Sequence, residues 1–467
     1  MYNCGYVLFD GIDCVYTEDK DGIRLIPTKE ESIRKLNTHY DDQDFTFHYI
    51  DGVEKNCIAQ IDRIEMNAGH SICLIPSYVI KLSNANPISS MRVTGASIDE
   101  IFHPAGYYYT KHEAGLENNV DLAYGIEVAD KWGITVDGEA VEVSLLYGGI
   151  LHRGIASDMM LHPQLHVTFP PTTDSKFLFN VYSTITRFLQ LTQYNCNYGE
   201  CKVYLRGTEP DFNSGYLFDW MRIGVNRLFY NEIAYRYIKP YIGSLLQFSA
   251  DNLCISFDFL PNAEYRWKRK DYTPQILTAL FAAFESEYKA NKHIYETGPT
   301  EDYETIKQDV IQKIQDCSSS NLTDAERQFI SQAKSSIQRL GTQTGQVKKV
   351  KNVLQILGPA LKTSAIHLFP RQRLGNEHGF TEEEITKIAK RIVGLRALVS
   401  HDYSLSSFTD NQAEYVHFLE IVVHAQMLKR AGIDNTGIEL IIGILFHCNF
   451  KYMENLLNKS QADKESE

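Results

Sequence analysis

The chain has 467 residues, 43% hydrophobic and 22% charged, which suits two or three globular domains and excludes a collagen-like, rod-like or wholly disordered protein. Asp and Glu outnumber Lys and Arg, 59 to 46, for a net charge of -13, and this argues against a dedicated high-affinity nucleic-acid binder. The excess is uneven, with net -10 in residues 1–270 and net -3 in residues 271–467.

From the start to about residue 205, short apolar or aromatic runs alternate with period 2, as in Phe45-Thr46-Phe47-His48-Tyr49-Ile50 and Val141-Glu142-Val143-Ser144-Leu145. Such runs predict strands. Asp51-Gly52, Asn67-Ala68-Gly69 and Asp137-Gly138 separate them as turns, so residues 1–210 are expected to form a β-rich domain, a sandwich or an open barrel. Within it, Leu178, Val181, Ile185 and Leu189 recur at helical spacing, which predicts a helix over 177–191 covering one sheet end before a strand at 201–205. Residues 211–270 read as a mixed bridging segment, with a helix over 216–237, a strand over 253–259 and the charged Arg266-Trp267-Lys268-Arg269-Lys270 at the domain junction.

After Pro274 the periodicity turns helical, with segments at 274–293, 302–317, 322–340, 346–363, 381–400, 411–431 and 437–457. Thr323-Asp324 opens one helix, Thr381-Glu382-Glu383-Glu384 puts carboxylates in the first turn of another, and Gly432 ends a third after Lys429-Arg430. The fold class is therefore α+β and multidomain, a β-rich domain followed by an all-α bundle over 271–460.

The start, Met1-Tyr2-Asn3-Cys4-Gly5, lacks a basic segment followed by an apolar run, and no apolar run approaches about 18 residues, so neither export nor a membrane span is expected. Nine cysteines are an odd number, and reduced thiols in the cytoplasm are the simple expectation. The His162/His166 and Cys196/Cys201 pairs have no second close pair and read as packing. No metal site and no cofactor are expected.

Ile385, Ile388, Ile392, Leu395 and Val399 form one apolar stripe, a core or subunit-facing surface, with Arg396 at its edge. Positions 396 and 401 are about 140° apart on an ideal helix. Arg396 and His401 thus reach one ligand atom only if the helix breaks near Ser400-His401-Asp402 or if a second subunit supplies the partner group.

The spacing Arg396-Ala397-Leu398-Val399-Ser400-His401, late in a helix of an all-helical domain, resembles the Arg-x(4 to 6)-His motif of HEPN-fold ribonucleases. Residues 276–288, with Glu285 at the usual acidic position, look like the first helix of the Apea-like HEPN group. Phe418 to Gly432, ending Met427-Leu428-Lys429-Arg430-Ala431-Gly432, resembles its penultimate helix. The resemblance covers 271–460 and implies a HEPN-like bundle that cuts RNA without metal, commonly as a homodimer through this domain and in anti-phage abortive infection. It implies catalytic roles for Arg396 and His401, with Glu285 in support. A histidine titrating near 6.5 suits proton transfer with a ribose 2′-OH or a leaving 5′-oxygen, and a guanidinium suits a phosphate gaining charge. Ala397 departs from the family pattern, where a polar residue commonly follows the arginine, and this motivates a rival reading as an inactive RNA- or protein-binding scaffold. Tyr403 completes Arg-x4-His-x-Tyr, similar to HEPN toxins silenced by a nucleotidyltransferase antitoxin.

Arg327 to Arg373 contains no Asp or Glu. Lys348, Lys349, Lys351, Arg371 and Arg373 in this stretch are the candidate RNA contacts. A toxic nuclease has to be held off, so residues 1–210 are expected to sense an activating ligand or phage component.

Overall fold

The computed structural model describes residues 3–36, 38, 44–51, 55–67, 71–83, 86–103, 127–150, 160–194, 198–208, 215–220, 235–251, 272–296, 303–316, 322–339, 345–369, 379–401 and 408–446. The chain divides into two compact units, one running from Met1 to Cys254 and the other holding Tyr265 to Glu467. Among the described residues no helix is long and apolar enough to cross a membrane, and Cys4, Cys14, Cys57, Cys73 and Cys201 are free thiols.

Twelve strands form the first unit's single antiparallel sheet: β1 (Asn3–Phe9), β2 (Ile12–Asp19), β3 (Gly22–Pro27), β4 (Phe45–Ile50), β5 (Asn56–Asn67), β6 (Ser71–Leu82), β7 (Ile88–Gly95), β8 (Glu127–Val136), β9 (Glu139–Ile150), β10 (Met160–Thr172), β11 (Cys201–Gly207) and β12 (Gly215–Asp219). Local chemistry sets the hairpins. Asp10-Gly11 and Asp137-Gly138 both take positive φ at both positions, the two-residue turn whose twist matches the flanking strands.

The strands run in the order β1-β2-β3-β6-β12-β11-β7-β10-β9-β8, with β4 on β5 and β5 on β6. β6 is the branch point. Along one edge it pairs with β5; along the other, Ile72 and Leu74 pair with β3 and Tyr78 to Leu82 pair with β12. Pro76, which has no N–H to donate, lies where one partner leaves and the next takes over. Strands β1-β2-β3-β6-β5-β4 curl into an open barrel. Its seam between β1 and β4 has no ladder among the described residues and is bridged by the Phe9 ring, 6.1 Å from Phe45 and 5.9 Å from Phe47. Tyr16, Leu25, Tyr49, Ile61, Leu74 and Val79 help to fill the interior. The barrel expectation thus describes the first six strands, whereas the remaining strands extend the same sheet instead of forming the second layer of a sandwich.

Helix α1 (Ala96–Ile101) packs on β7 and β10. Helix α2 (Ser175–Gln193), the helix expected over 177–191, is capped by Asp174 and ends at Tyr194 in the left-handed conformation. Residues 216–219 are a strand, not the expected helix, because Tyr216 and Phe218 alternate with Leu217 and the segment pairs on both edges. Helix α3 (Ile242–Ala250), unanticipated, packs on α2 and β8. The first unit therefore takes in much of the segment read as a bridge. The strand expected over 253–259 lies outside the described residues.

The second unit is helical: α4 (Pro274–Ala290), α5 (Tyr303–Asp316), α6 (Asp324–Arg339), α7 (Gln346–Leu368), α8 (Glu382–His401), α9 (Asp410–Arg430) and α10 (Asn435–Leu445). Its helix starts are encoded locally. Thr381 and Glu384 bond each other's backbone N–H, and Thr409 and Gln412 do the same. Gly432, at φ +83, closes α9 with Ile433 N–H donating to the Leu428 carbonyl. Helix α7 packs against α8, α9 and α10, and α9 also packs against α4, while α5 pairs with α6. Val350, Leu354, Leu357 and Leu361 of α7 are fully buried.

Candidate functional site

Helix α8 follows the apolar periodicity of its sequence, and Ile385, Ile388, Ile392 and Leu395 are all buried in the unit's own core. Of the two readings of this stripe, core and subunit-facing surface, the fold realises the first. What α8 leaves exposed beside Arg396 is Gly394, Ala397 and Leu398, the last 38% accessible.

Arg396 is held from α4. Its Nη1 donates to Glu285 Oε1 at 2.9 Å, and its guanidinium carbon lies 5.1 Å from the centre of the Phe281 ring. Phe281 and Glu285 are four residues apart, so one helix face supplies both an aromatic surface and a carboxylate. The Gln346 side-chain amide, at the start of α7, donates to the same Glu285 oxygen. Three helices therefore fix one guanidinium. The Arg396 side chain keeps 41% of its surface accessible, which leaves it able to meet an anion as well as its partner. An exposed pair of this kind adds little stability, about 0 to 1 kcal/mol, so its geometric effect outweighs its energetic one.

The sequence expectations thus bring Arg396 and Glu285 together. Helix α8 is regular through His401, its last residue, and the His401 side chain is outside the described set. Tyr403, Arg371 and Arg373 also lie outside the described residues. Lys348 is exposed on α7, Lys349 Nζ sits 5.9 Å from the centre of the Tyr288 ring, and Lys351 Nζ meets Glu382 Oε1 at 2.5 Å. Phe281 and Gln346 were not anticipated. Phe281 had a signal in its spacing to Glu285, whereas nothing in the sequence places Gln346 beside either.

A second polar group stands inside α9. The Tyr272 hydroxyl pairs with His417 Nδ1 and donates to Glu420 Oε2 at 2.7 Å, and Arg430 meets Glu287 at 2.8 Å with both side chains buried. Burial pushes the His424 imidazole down to about 3, against a smaller opposing effect of Glu420. These are interior contacts tying α4 to α9. Among the described residues no group of three or more His, Cys, Asp or Glu is placed to hold a metal ion.

In the first unit, a cleft of about 500 Å³ opens on the outside of β4, β5 and β6, lined by Ile58, Ile80, Leu82, Leu178, Asn56 and Asn86 among others. An apolar floor with a few amides is the usual composition of a small-molecule site. Comparison with family models, with curated proteins and with solved structures returns no match for this chain.

Proposed function

We propose that the protein is a metal-independent endoribonuclease of the HEPN type, acting as a homodimer through its helical domain in anti-phage abortive infection. The observation that carries this reading is the Arg396 guanidinium, fixed by Glu285 and Phe281 yet accessible, late in the helix that ends at His401. His401 moves the proton of the ribose 2′-OH or of the leaving 5′-oxygen, and Arg396 holds the phosphate as its charge grows. The 2′-oxygen attacks phosphorus, the bond to the 5′-oxygen breaks, and the products are a 2′,3′-cyclic phosphate and a 5′-hydroxyl. Positions 396 and 401 stand about 140° apart on a regular helix, so a composite site uses Arg396 of one copy and a histidine of the other. The cleft outside β4 to β6 is the candidate seat of an activating ligand.

A second reading, a scaffold that retains the helical domain without cutting, draws on the ion pair itself, since Glu285 already engages Arg396 and Ala397 adds no polar group. Incubation with total RNA in EDTA separates the two. The nuclease yields cyclic-phosphate ends, His401→Ala lowers the rate by about 100-fold or more, and Arg396→Lys fails because an ammonium lacks the paired donors. Equal melting temperatures exclude misfolding as the cause. An equally folded His401→Ala protein cutting at the parental rate overturns the catalytic assignment, and intact RNA with the parental protein and its activator favours the scaffold.

A further inference from the structure

The face of the first unit's sheet opposite α2 carries a row of side chains in strict cross-strand register. Lys81 of β6 pairs with Tyr216 of β12, Tyr216 with Tyr204 of β11, Tyr204 with Arg92 of β7, and Arg92 with His166 of β10. The row continues through Ser144 of β9 to Lys131 of β8. Six inter-strand steps of about 4.8 Å give it a length of about 29 Å. Tyr204 and Tyr216 lie 5.5 Å apart between ring centres, and Phe218 is 6.2 Å beyond Tyr216 on the same face. Exposed Lys202 and Arg206 flank the row on β11.

Charge on this face runs against the unit as a whole. Strands β7, β10, β11 and β12 contain Arg92, Lys202 and Arg206 and a single carboxylate, Asp219, which accepts from Tyr182 of α2 and from Tyr198, on the covered side of the sheet. Glu142 is paired with Lys131 at 2.8 Å at one end of the row and Glu18 with Lys81 at 2.7 Å at the other. Between them the cations have no carboxylate from the sheet. The Arg92 guanidinium sits 4.4 Å over the Tyr204 ring, its Nε buried with no hydrogen-bond partner, and Lys55 Nζ sits 5.0 Å over Tyr216. His166 is held below its ordinary value first by burial and then by Arg206 and Arg92, a local sign of the same positive field.

Half-exposed aromatic rings between cations on an open sheet face are the combination that takes unstacked bases and their phosphates together. A duplex offers no free base faces, and a carboxylate ligand has no use for the rings. We infer that this face binds single-stranded nucleic acid, with bases stacked on Tyr204 and Tyr216 and phosphates held by Arg92, Arg206 and Lys202. The incoming base takes the ring face that the cation now covers, and the cation meets the adjacent phosphate. The row is long enough for about four nucleotides, the lower end of single-strand site sizes. This assignment does not rest on the nuclease reading.

The test is fluorescence anisotropy with a labelled 12-nucleotide single strand, as RNA and as DNA, and with the matching duplexes, on the full chain in EDTA with His401→Ala to block cleavage. The Tyr204→Ala, Tyr216→Ala double variant is expected to weaken single-strand binding by about tenfold or more, while the corresponding Phe pair retains it. Arg92→Gln with Arg206→Gln is expected to lower the slope of log affinity against log salt by roughly 2. Ultraviolet crosslinking of the same chain with its sheet intact is expected to attach the strand to peptides holding Tyr204 or Tyr216, a readout that needs no folded Ala variant. Unchanged affinity and salt slope in both sets, equal affinity for the duplex, or binding abolished only by Lys348→Glu, Lys349→Glu and Lys351→Glu overturns the assignment. In those outcomes cleavage by the parental protein is unaffected, so failure here is distinct from failure of the nuclease.

Discussion

His424 illustrates how one interior side chain ties stability to pH. Its imidazole is fully buried, packed 6.1 Å from the Phe446 ring, and driven down to about 3 chiefly by loss of water. The unfolded chain takes up this proton near 6.5, whereas the folded chain refuses it until about 3. Stability is therefore complete above about 6.5 and falls as pH drops from there towards 3, by about 1.4 kcal/mol per pH unit inside the window. Urea unfolding from pH 4.5 to 7.5 is expected to show a shallower pH slope in His424→Met than in the parent, and identical slopes refute the assignment. The contrast with Arg396 is instructive. Both side chains sit on helices whose periodicity was plain, but the apolar pattern fixes only which face a residue takes. Glu285 was legible as the partner of Arg396 through the resemblance of its helix. Gln346 and Phe281 were not, because a contact between helices depends on crossing geometry that no single helix encodes.

At the scale of elements, the helices of the second unit follow their sequence signals closely, since each start and stop is a local event of caps, carboxylates and glycine. The sheet was harder to read. Alternation identified β4 and β9, yet the segment over 216–219 passed for helix, because a five-residue strand with one polar end has too few positions to show its period. Its partner requires Gly215. A Cβ there would lie 2.3 Å from the Lys81 carbonyl oxygen and 3.2 Å from Leu82 Cα, so β12 can lie against β6 only with hydrogen at this position. Gly215→Ala is expected to lose about 1–3 kcal/mol of unfolding free energy. Gly133→Ala, where a Cβ meets nothing within 4 Å, is expected to stay within about 0.5 kcal/mol of the parent. Equal stabilities for the two variants count against the proposed pairing.

For the whole molecule, each unit buries its own core, which is why the composition read correctly as more than one domain although the boundary fell later than residue 210. The apolar stripe of α8 is consumed within that core, so the self-association required by a composite nuclease site has to use the exposed Gly394, Ala397 and Leu398. Light scattering at micromolar concentration is expected to give a dimer, and Leu398→Asp a folded monomer with reduced cleavage. A parental monomer that still cuts RNA sinks the composite site.

The branching of β6 also bears on the order in which the chain can be made. Its half from Tyr78 to Leu82 waits for Gly215 to Asp219, and at about 5–20 residues per second of synthesis that wait is on the order of ten seconds. Throughout it, a hydrophobic strand edge is open to any other nascent chain. Lys81 stands in the middle of that edge, the kind of inward charge that discourages strangers from pairing, and Glu18, translated earlier, is the partner that later neutralises it at 2.7 Å. One ion pair in the finished barrel thus doubles as a guard on the unfinished one.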